Sequence, residues 1–207
     1  MGEVVEFQYP NARILIFCKA PIPGKVKTRL LPAICAGEAA GIYKKLARRM
    51  IDCSLRSSLA PVEIWCYPDA KHEFFHQFSD IELLAQQGED LGGRMLQAAH
   101  HSLGRPGVEK VLIVGTDCPT LDEEYMNLAL SILDSHDAVL GPAEDGGYGL
   151  IGLKTAATSL FADMTWSTSQ VCAETCRRLN DLNYNWSLLP LIWDVDRPED
   201  LERLKHA

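Results

Sequence analysis

Short apolar runs, each followed after a brief connection by a longer amphipathic stretch, recur along this chain of 207 residues and constrain its fold more than any other feature. Lys110–Gly115 (KVLIVG) is the clearest run, too short and too uniformly apolar for anything but a buried strand. Arg13–Cys18 (RILIFC) reads the same way, crowded with β-branched and aromatic residues and stopped by Pro21. Further strands are expected over Val62–Tyr67, Glu82–Gln86, Asp137–Gly141 and Tyr148–Leu153, with Trp186–Leu191 extended. Between them the spacing predicts helices over Gly37–Ser57, Ala70–Phe78, Gly93–Leu103, Asp122–Leu133, Thr168–Leu179 and Pro198–Leu204. Strand–helix alternation with short connections implies an α/β fold: a mostly parallel sheet between two helical layers, joined by right-handed crossovers. The length suits one such domain over residues 1–207. In these sheets the ligand crevice opens at the carboxyl ends of the strands, where strand order reverses. The residues just after each strand therefore carry the functional information.

Composition narrows the classes. A hydrophobic content of 47% supplies a core, and a formal net charge of -8 argues against general affinity for nucleic acid or an anionic membrane. Seven scattered cysteines form no CxxC pair, so neither a disulfide framework nor a zinc ribbon is indicated. Cys172 and Cys176, one helical turn apart, read as small packed residues. The N-terminus lacks a basic start followed by an apolar stretch, and no apolar run approaches ~18 residues, so neither a signal peptide nor a membrane span is expected. The expectation is a reduced, cytoplasmic protein.

Three loops stand out. After the first strand, Lys19-Ala20-Pro21-Ile-Pro-Gly24-Lys25-Val-Lys27-Thr-Arg29 places four cations within eleven residues of an otherwise acidic chain. Pro21, Pro23 and Gly24 stiffen the turn and let its backbone approach a ligand, so that Lys27 and Arg29 can cradle a di- or triphosphate. The alternative is a solvated basic loop. The segment is not a Walker A loop, since Val26 stands where Ser or Thr should follow Gly24-Lys25, and no GxGxxG occurs. After the fourth strand, Gly115-Thr116-Asp117-Cys118-Pro119 puts a carboxylate at the sheet edge, placed to hold Mg²⁺ or Mn²⁺ against phosphates or to form a local turn. After the fifth, Glu144-Asp145-Gly146-Gly147 joins two acids to a glycine pair that leaves the backbone open, although Asp-Gly is also an ordinary hairpin turn.

The ordered motifs KAPIPGKVKTRL, QGEDLGGRM, GTDCPTLD, GPAEDGGYGLIGL, Trp166-Ser-Thr168 and DVDRPEDL span residues 19 to 201. Together they resemble a family of glycosyltransferases with the GT-A (nucleotide-diphospho-sugar transferase) fold, often found beside radical-SAM and selenium-related proteins. The fold is also similar to that of 2-phospho-lactate and molybdenum-cofactor guanylyltransferases. The resemblance implies that Lys27 and Arg29 bind phosphate, that Asp117 ligates the metal, and that Asp90, Leu91 and Gly92 line the nucleotide pocket. It also implies that Glu144, Asp145 and Gly146 face the acceptor. Lys19, Ala20, Pro21, Gly24 and Lys25 belong to the phosphate loop and Gly147 to the acceptor side. Many GT-A enzymes carry Asp-x-Asp where this chain has Gly115-Thr116-Asp117. A second ligand must then come from Asp145, Asp194, Asp196 or water. Asp196-Arg-Pro198-Glu199 also matches a helix N-cap, the role favoured for Asp196. Trp166 is either a wall of the acceptor pocket or core.

His72-Glu73-Phe74-Phe75-His76 fits HExxH, but on a short helix between two strands with no third ligand downstream; a zinc protease is rejected. The remaining readings are three. In glycosyl transfer from a nucleoside-diphospho-sugar, ranked first by the resemblance, Asp145 or Glu144 serves as base if the reaction inverts. In nucleotidyl transfer from a triphosphate, Lys27, Arg29 and the metal neutralise charge as pyrophosphate departs. A nucleotide-binding protein without chemistry is the third, and loss of Asp117 would leave its affinity intact.

Overall fold

The computed structural model describes residues 6–206. Their strands form one seven-stranded sheet in the order β3-β2-β1-β4-β6-β5-β7. The strands are β1 (Ala12–Lys19), β2 (Val62–Tyr67), β3 (Glu82–Ala85), β4 (Lys110–Val114), β5 (Ala138–Pro142), β6 (Tyr148–Leu153) and β7 (Trp186–Leu188). Only β6 runs against its neighbours, pairing antiparallel with both β4 and β5. The helices are α1 (Ala36–Ser57), α2 (Glu73–His76), α3 (Leu91–Leu103), α4 (Glu123–Ile132), α5 (Thr158–Phe161), α6 (Val171–Asp181) and α7 (Asp200–Leu204), with a 3₁₀ turn at Thr28–Leu30.

The central strands are apolar on both faces because both faces are covered. From β1, Ile14, Ile16 and Cys18 enter a core shared with α1, α2 and α4, whereas Leu15 enters a second core with α3, α5 and α6. This is the three-layer α/β/α arrangement with a mostly parallel mixed sheet that the alternation predicts. From β1 the chain winds outward through β2 and β3, then returns to the other side of β1 as β4. The switch point therefore lies between β1 and β4, and their carboxyl ends part to open a crevice.

Most boundaries fall within a few residues of expectation, and the differences have physical causes. The helix expected over Ala70–Phe78 shrinks to α2, because the His72 side chain accepts from the Phe74 N–H and so caps it late. Phe74, Phe75 and Phe78 are buried beneath it. With His72 outside the helix, the HExxH register is lost. The helix expected from Thr168 starts at Val171, since Ser167 adopts φ 63° and the Thr168 hydroxyl bonds back to the Thr165 carbonyl. The C-terminal helix starts at Asp200 rather than Pro198. Asp196 does not cap it. Instead the Asp200 carboxylate accepts from the N–H groups of Asp196 and Arg197, which holds the DVDRPED turn together. Sequence reasoning passes over α5 and the 3₁₀ turn, each too short to show a period.

No helix among the described residues is long and apolar enough to cross a membrane.

Candidate functional site

A cleft of about 530 Å³ opens at the switch point. Its polar end is built by the loops after β1 and β4. Lys27 sits at φ 49°, ψ 40°, a left-handed conformation that costs a non-glycine residue about 1–2 kcal/mol. That twist turns its side chain inward, where it is 4% exposed, to meet Asp117 with Nζ 3.0 Å from Oδ1. The two residues singled out after different strands thus touch. Asp117 Oδ1 nevertheless has no hydrogen bond of good geometry, although the atom itself is buried. Arg29 pairs with Asp196 at 2.6 Å, so the Asp196 carboxylate engages the basic loop rather than a helix end.

Beneath the cleft, Tyr43 of α1 ties the two loops together. Its hydroxyl accepts the Lys19 N–H at 2.7 Å and the Thr116 hydroxyl at 3.1 Å, and it is buried. A helix residue unremarkable in sequence therefore fixes the spacing between the ends of β1 and β4. Gly115 and Gly149 close the far side. The Gly115 N–H donates to the Gly149 carbonyl at 2.8 Å, and a Cβ at Gly149 would stand 2.8 Å from Cys118 Sγ.

The segment after β7 passes over the polar end. The Val195 N–H bonds the Asp117 carbonyl at 3.1 Å and brings Asp194 and Asp196 to the rim. Burial, and then the neighbouring charges of Asp145, Asp196 and Asp117, push the Asp194 carboxyl up to about 6, with Lys27 opposing. Among the described residues no three of these carboxylates close into a preformed cation cage. Mg²⁺ bound together with substrate phosphates needs only one or two. The donor set fits such an ion: Asp117 has an unsatisfied buried oxygen, and Asp194 is crowded by like charge that a dication would relieve.

The structure brings Lys19, Lys25, Lys27, Arg29, Leu91, Asp117, Asp145, Gly147, Trp166, Asp194 and Asp196 to the cleft. Other expected site residues lie elsewhere. Ala20 is core, Pro21 is half-buried behind the loop, and Gly24 turns at φ 76° in solvent. The Asp90 side chain is spent capping α3 through the Gly93 N–H at 2.7 Å. Gly92 is buried under the Trp166 ring, where a Cβ would lie 2.5 Å from Cζ2, so its role is to let the indole approach. Glu144 is held by both nitrogens of Arg203 at 2.8 and 3.0 Å, which depresses its carboxyl below the usual range. It is not a wall of the cleft and is a poor base. Gly146 turns at φ 85° against the Ser169 carbonyl. Asp145 does line the cleft, with Oδ1 accepting the Gly147 N–H at 2.8 Å.

The opposite end of the cleft is apolar, walled by Phe17, Met95, Ile113, Ile151 and the rings of Tyr148 and Trp166. Arg94 and Gln86 are its polar members. Both lie in or beside the QGEDLGGRM stretch, yet neither is marked by sequence reasoning, because the spacing of an Arg does not reveal that it lacks a partner.

A seven-stranded, mostly parallel sheet with a polyphosphate-sized cleft at its switch point defines the nucleotide-diphospho-sugar transferase class of fold, and the solved structures agree. The chain superposes on a nucleotide-diphospho-sugar transferase of Desulfovibrio desulfuricans G20 with TM-score 0.86 and 32% identity, over 94% of this chain and 86% of that one. The CMP:2-keto-3-deoxy-manno-octonic acid synthetase complexed with CTP shares the fold at TM-score 0.61 and 12% identity, over 95% of this chain and 97% of that one. Residues 50–168 match the family described as "Uncharacterized protein conserved in bacteria (DUF2064)", and the chain belongs to it. It is also similar to the 2-phospho-L-lactate guanylyltransferase of Methanothermobacter thermautotrophicus, 27% identical over 144 residues, 68% of this chain. The matched stretch spans 62% of that relative's length.

Proposed function

We propose that this protein is a nucleotide-dependent transferase, and that it transfers a nucleotidyl group from a nucleoside triphosphate to a small acceptor. The observation that carries this reading is the 3.0 Å contact between Lys27 and Asp117 at the mouth of the switch point. A cation and a carboxylate meeting there fit a metal-bound polyphosphate: Asp117 would hold the metal, and Lys27 would turn to the phosphate oxygens. Mg²⁺ or Mn²⁺ would be held by Asp117, with Asp194 or Asp145 as second ligand, and would neutralise charge on the phosphates. An acceptor oxygen attacks the α-phosphorus, the bond to the bridging oxygen breaks, and pyrophosphate departs with that electron pair. Lys27 donates to the oxygens on which charge accumulates. Lys19, Lys25 and Arg29 line the exit of the leaving group. If the acceptor is a hydroxyl and Asp145 is the second ligand, the Asp194 carboxylate is left at the rim to take its proton.

Two observations favour nucleotidyl transfer over the glycosyl transfer that the motifs alone put first. Glu144, one of two bases an inverting glycosyltransferase would have, is engaged by Arg203. The guanylyltransferase relative supports the same choice. Glycosyl transfer stays as the second reading on the strength of the Desulfovibrio relative's description. A thermal-shift comparison separates the two: GTP, CTP, ATP and UTP against their diphospho-sugars, each with and without Mg²⁺ or Mn²⁺. A ligand at one hundred times its Kd stabilises by about 2.7 kcal/mol. The nucleotidyl reading expects a metal-dependent rise with a triphosphate that exceeds the rise with its diphospho-sugar. The reverse order restores glycosyl transfer, and no rise with any of them defeats both.

A further inference from the structure

Among the described residues, five buried side-chain polar atoms have no hydrogen-bond partner: Arg94 Nε, Gln97 Oε1, Asp117 Oδ1, Tyr148 OH and Trp166 Nε1. Native proteins leave few such atoms, because each costs about 1–3 kcal/mol. Four of the five belong to residues that line the one cleft. Asp117 belongs to its polyphosphate end, and the Tyr148 hydroxyl neighbours Thr175 of α6. Arg94 and Trp166 are left, and both line the cleft beside the start of α3. The Trp166 ring lies on Gly92, where a Cβ would stand 2.9 Å from Cε2, the carbon bonded to Nε1. Gly92 and Arg94 both lie in the first turn of α3.

The two groups have the same polarity. An indole N–H only donates, and so does a guanidinium. Of the other cations lining the cleft, Lys27 is matched by Asp117 and Arg29 by Asp196, while Lys19 at the end of β1 and Lys25 in the loop after it are exposed. Arg94 has no carboxylate within ion-pair distance and no side-chain hydrogen bond among the described residues. Its Cζ lies over the Tyr67 ring, 4.6 Å from the centroid, a contact that leaves its N–H groups without an acceptor. The surrounding wall of Phe17, Met95, Ile113 and Ile151 strengthens any charge contact made there by excluding water.

Resting on the transferase reading above, we propose that Arg94 and the indole N–H of Trp166 bind an oxyanion of the acceptor. The acceptor is then a small organic anion, bearing a carboxylate or phosphate beside an apolar face. The guanidinium takes two of its oxygens in parallel and the indole takes one.

The probes are L-lactate and glycerol 3-phosphate, with lactamide and glycerol as their neutral counterparts, titrated calorimetrically into the full chain. Wild-type protein is expected to bind at least one of the anions and neither neutral compound. Arg94→Gln should weaken that anion about thirtyfold, the loss of a charged hydrogen-bonded contact, and Trp166→Phe about fivefold. Arg94→Lys keeps charge and stem, and so the fold, while losing the fork; it should fall between. Lys27→Met should leave the anion's affinity within twofold, which separates this subsite from the polyphosphate end. Equal binding of anion and neutral compound, undiminished anion binding by Arg94→Gln, or no anion bound by the wild type would each overturn the proposal. So would an Arg94→Gln variant that loses triphosphate affinity while keeping the anion, since Arg94 would then read the nucleotide. Failure of the transferase reading looks different: no triphosphate or diphospho-sugar binds, whatever the anions do.

Discussion

The two ends of the cleft are satisfied in opposite ways. At the polar end two ion pairs are already formed, Lys27 with Asp117 and Arg29 with Asp196. At the apolar end Arg94 Nε and the Trp166 indole N–H are buried without hydrogen-bond partners. A ligand at the first end has to exchange partners with the protein, and under the proposed function a divalent ion would favour that exchange by taking the carboxylate from the cation. A ligand at the second end breaks no ion pair. If the proposals hold, the polar end depends on an ion and the apolar end does not.

The sharpest way to break this contrast is to remove Asp117. Asp117→Ala should lower turnover by more than about a hundredfold, because a bound metal contributes several kcal/mol to the transition state. It also strands the buried ammonium of Lys27. Stability should fall by about 1–3 kcal/mol, less than for a fully buried pair because Asp117 is half-exposed. Adding Lys27→Met to the same chain should restore that stability in urea denaturation but not the activity. If Asp117→Ala turns over normally, the polar end is not where the chemistry occurs.

Next in size is Tyr43→Phe. It deletes the acceptor of the Lys19 N–H and the partner of the Thr116 hydroxyl, so stability should drop by about 1–3 kcal/mol. Triphosphate affinity should fall severalfold with anion-probe affinity unchanged, since only the polar end loses its brace. Equal losses for both ligands would erase the distinction between the two ends.

A smaller effect concerns pH. The folded Asp194 carboxyl is raised to about 6 from an ordinary value of 3.8. Between those values the folded state binds more protons than the unfolded one, so this group's contribution to stability is full below pH 4 and lost as pH rises through 6. Asp194→Asn should therefore flatten the decline in melting temperature between pH 4 and 6 and leave a more stable protein above it. A profile identical to the wild type would show that Asp194 is not crowded as described.

The smallest expected effect is none. Alanine at His76 should change neither metal content nor turnover, because the HExxH register is absent from the fold.

Much of the architecture is legible in the sequence for a simple reason. Runs such as Ile14–Cys18 and Val111–Val114 are buried on both faces, and burial on both faces leaves an unmistakable apolar block. The charged loops are legible because four cations stand out in an acidic chain. What is not legible is pairing across the fold. Asp196 has the pattern of a cap, yet its carboxylate meets Arg29, 167 residues away in sequence. Glu144 looks like a base until Arg203 takes it, and Asp90 like a pocket residue until it caps α3. Arg94 is conspicuous only for what it lacks, and Tyr43 only for what it joins. Those are properties of three-dimensional neighbours, which no spacing encodes.

The claim on which the rest depends is that Lys27 and Asp117 act on the same polyphosphate. A double-mutant cycle on the Kd of the metal–triphosphate complex tests it directly, using Lys27→Met, Asp117→Asn and the pair together. Each single change should weaken binding, and the double variant should lose little more than the worse single one, a coupling of about 1–3 kcal/mol. Single variants that bind like the wild type, or losses that simply add, would contradict it.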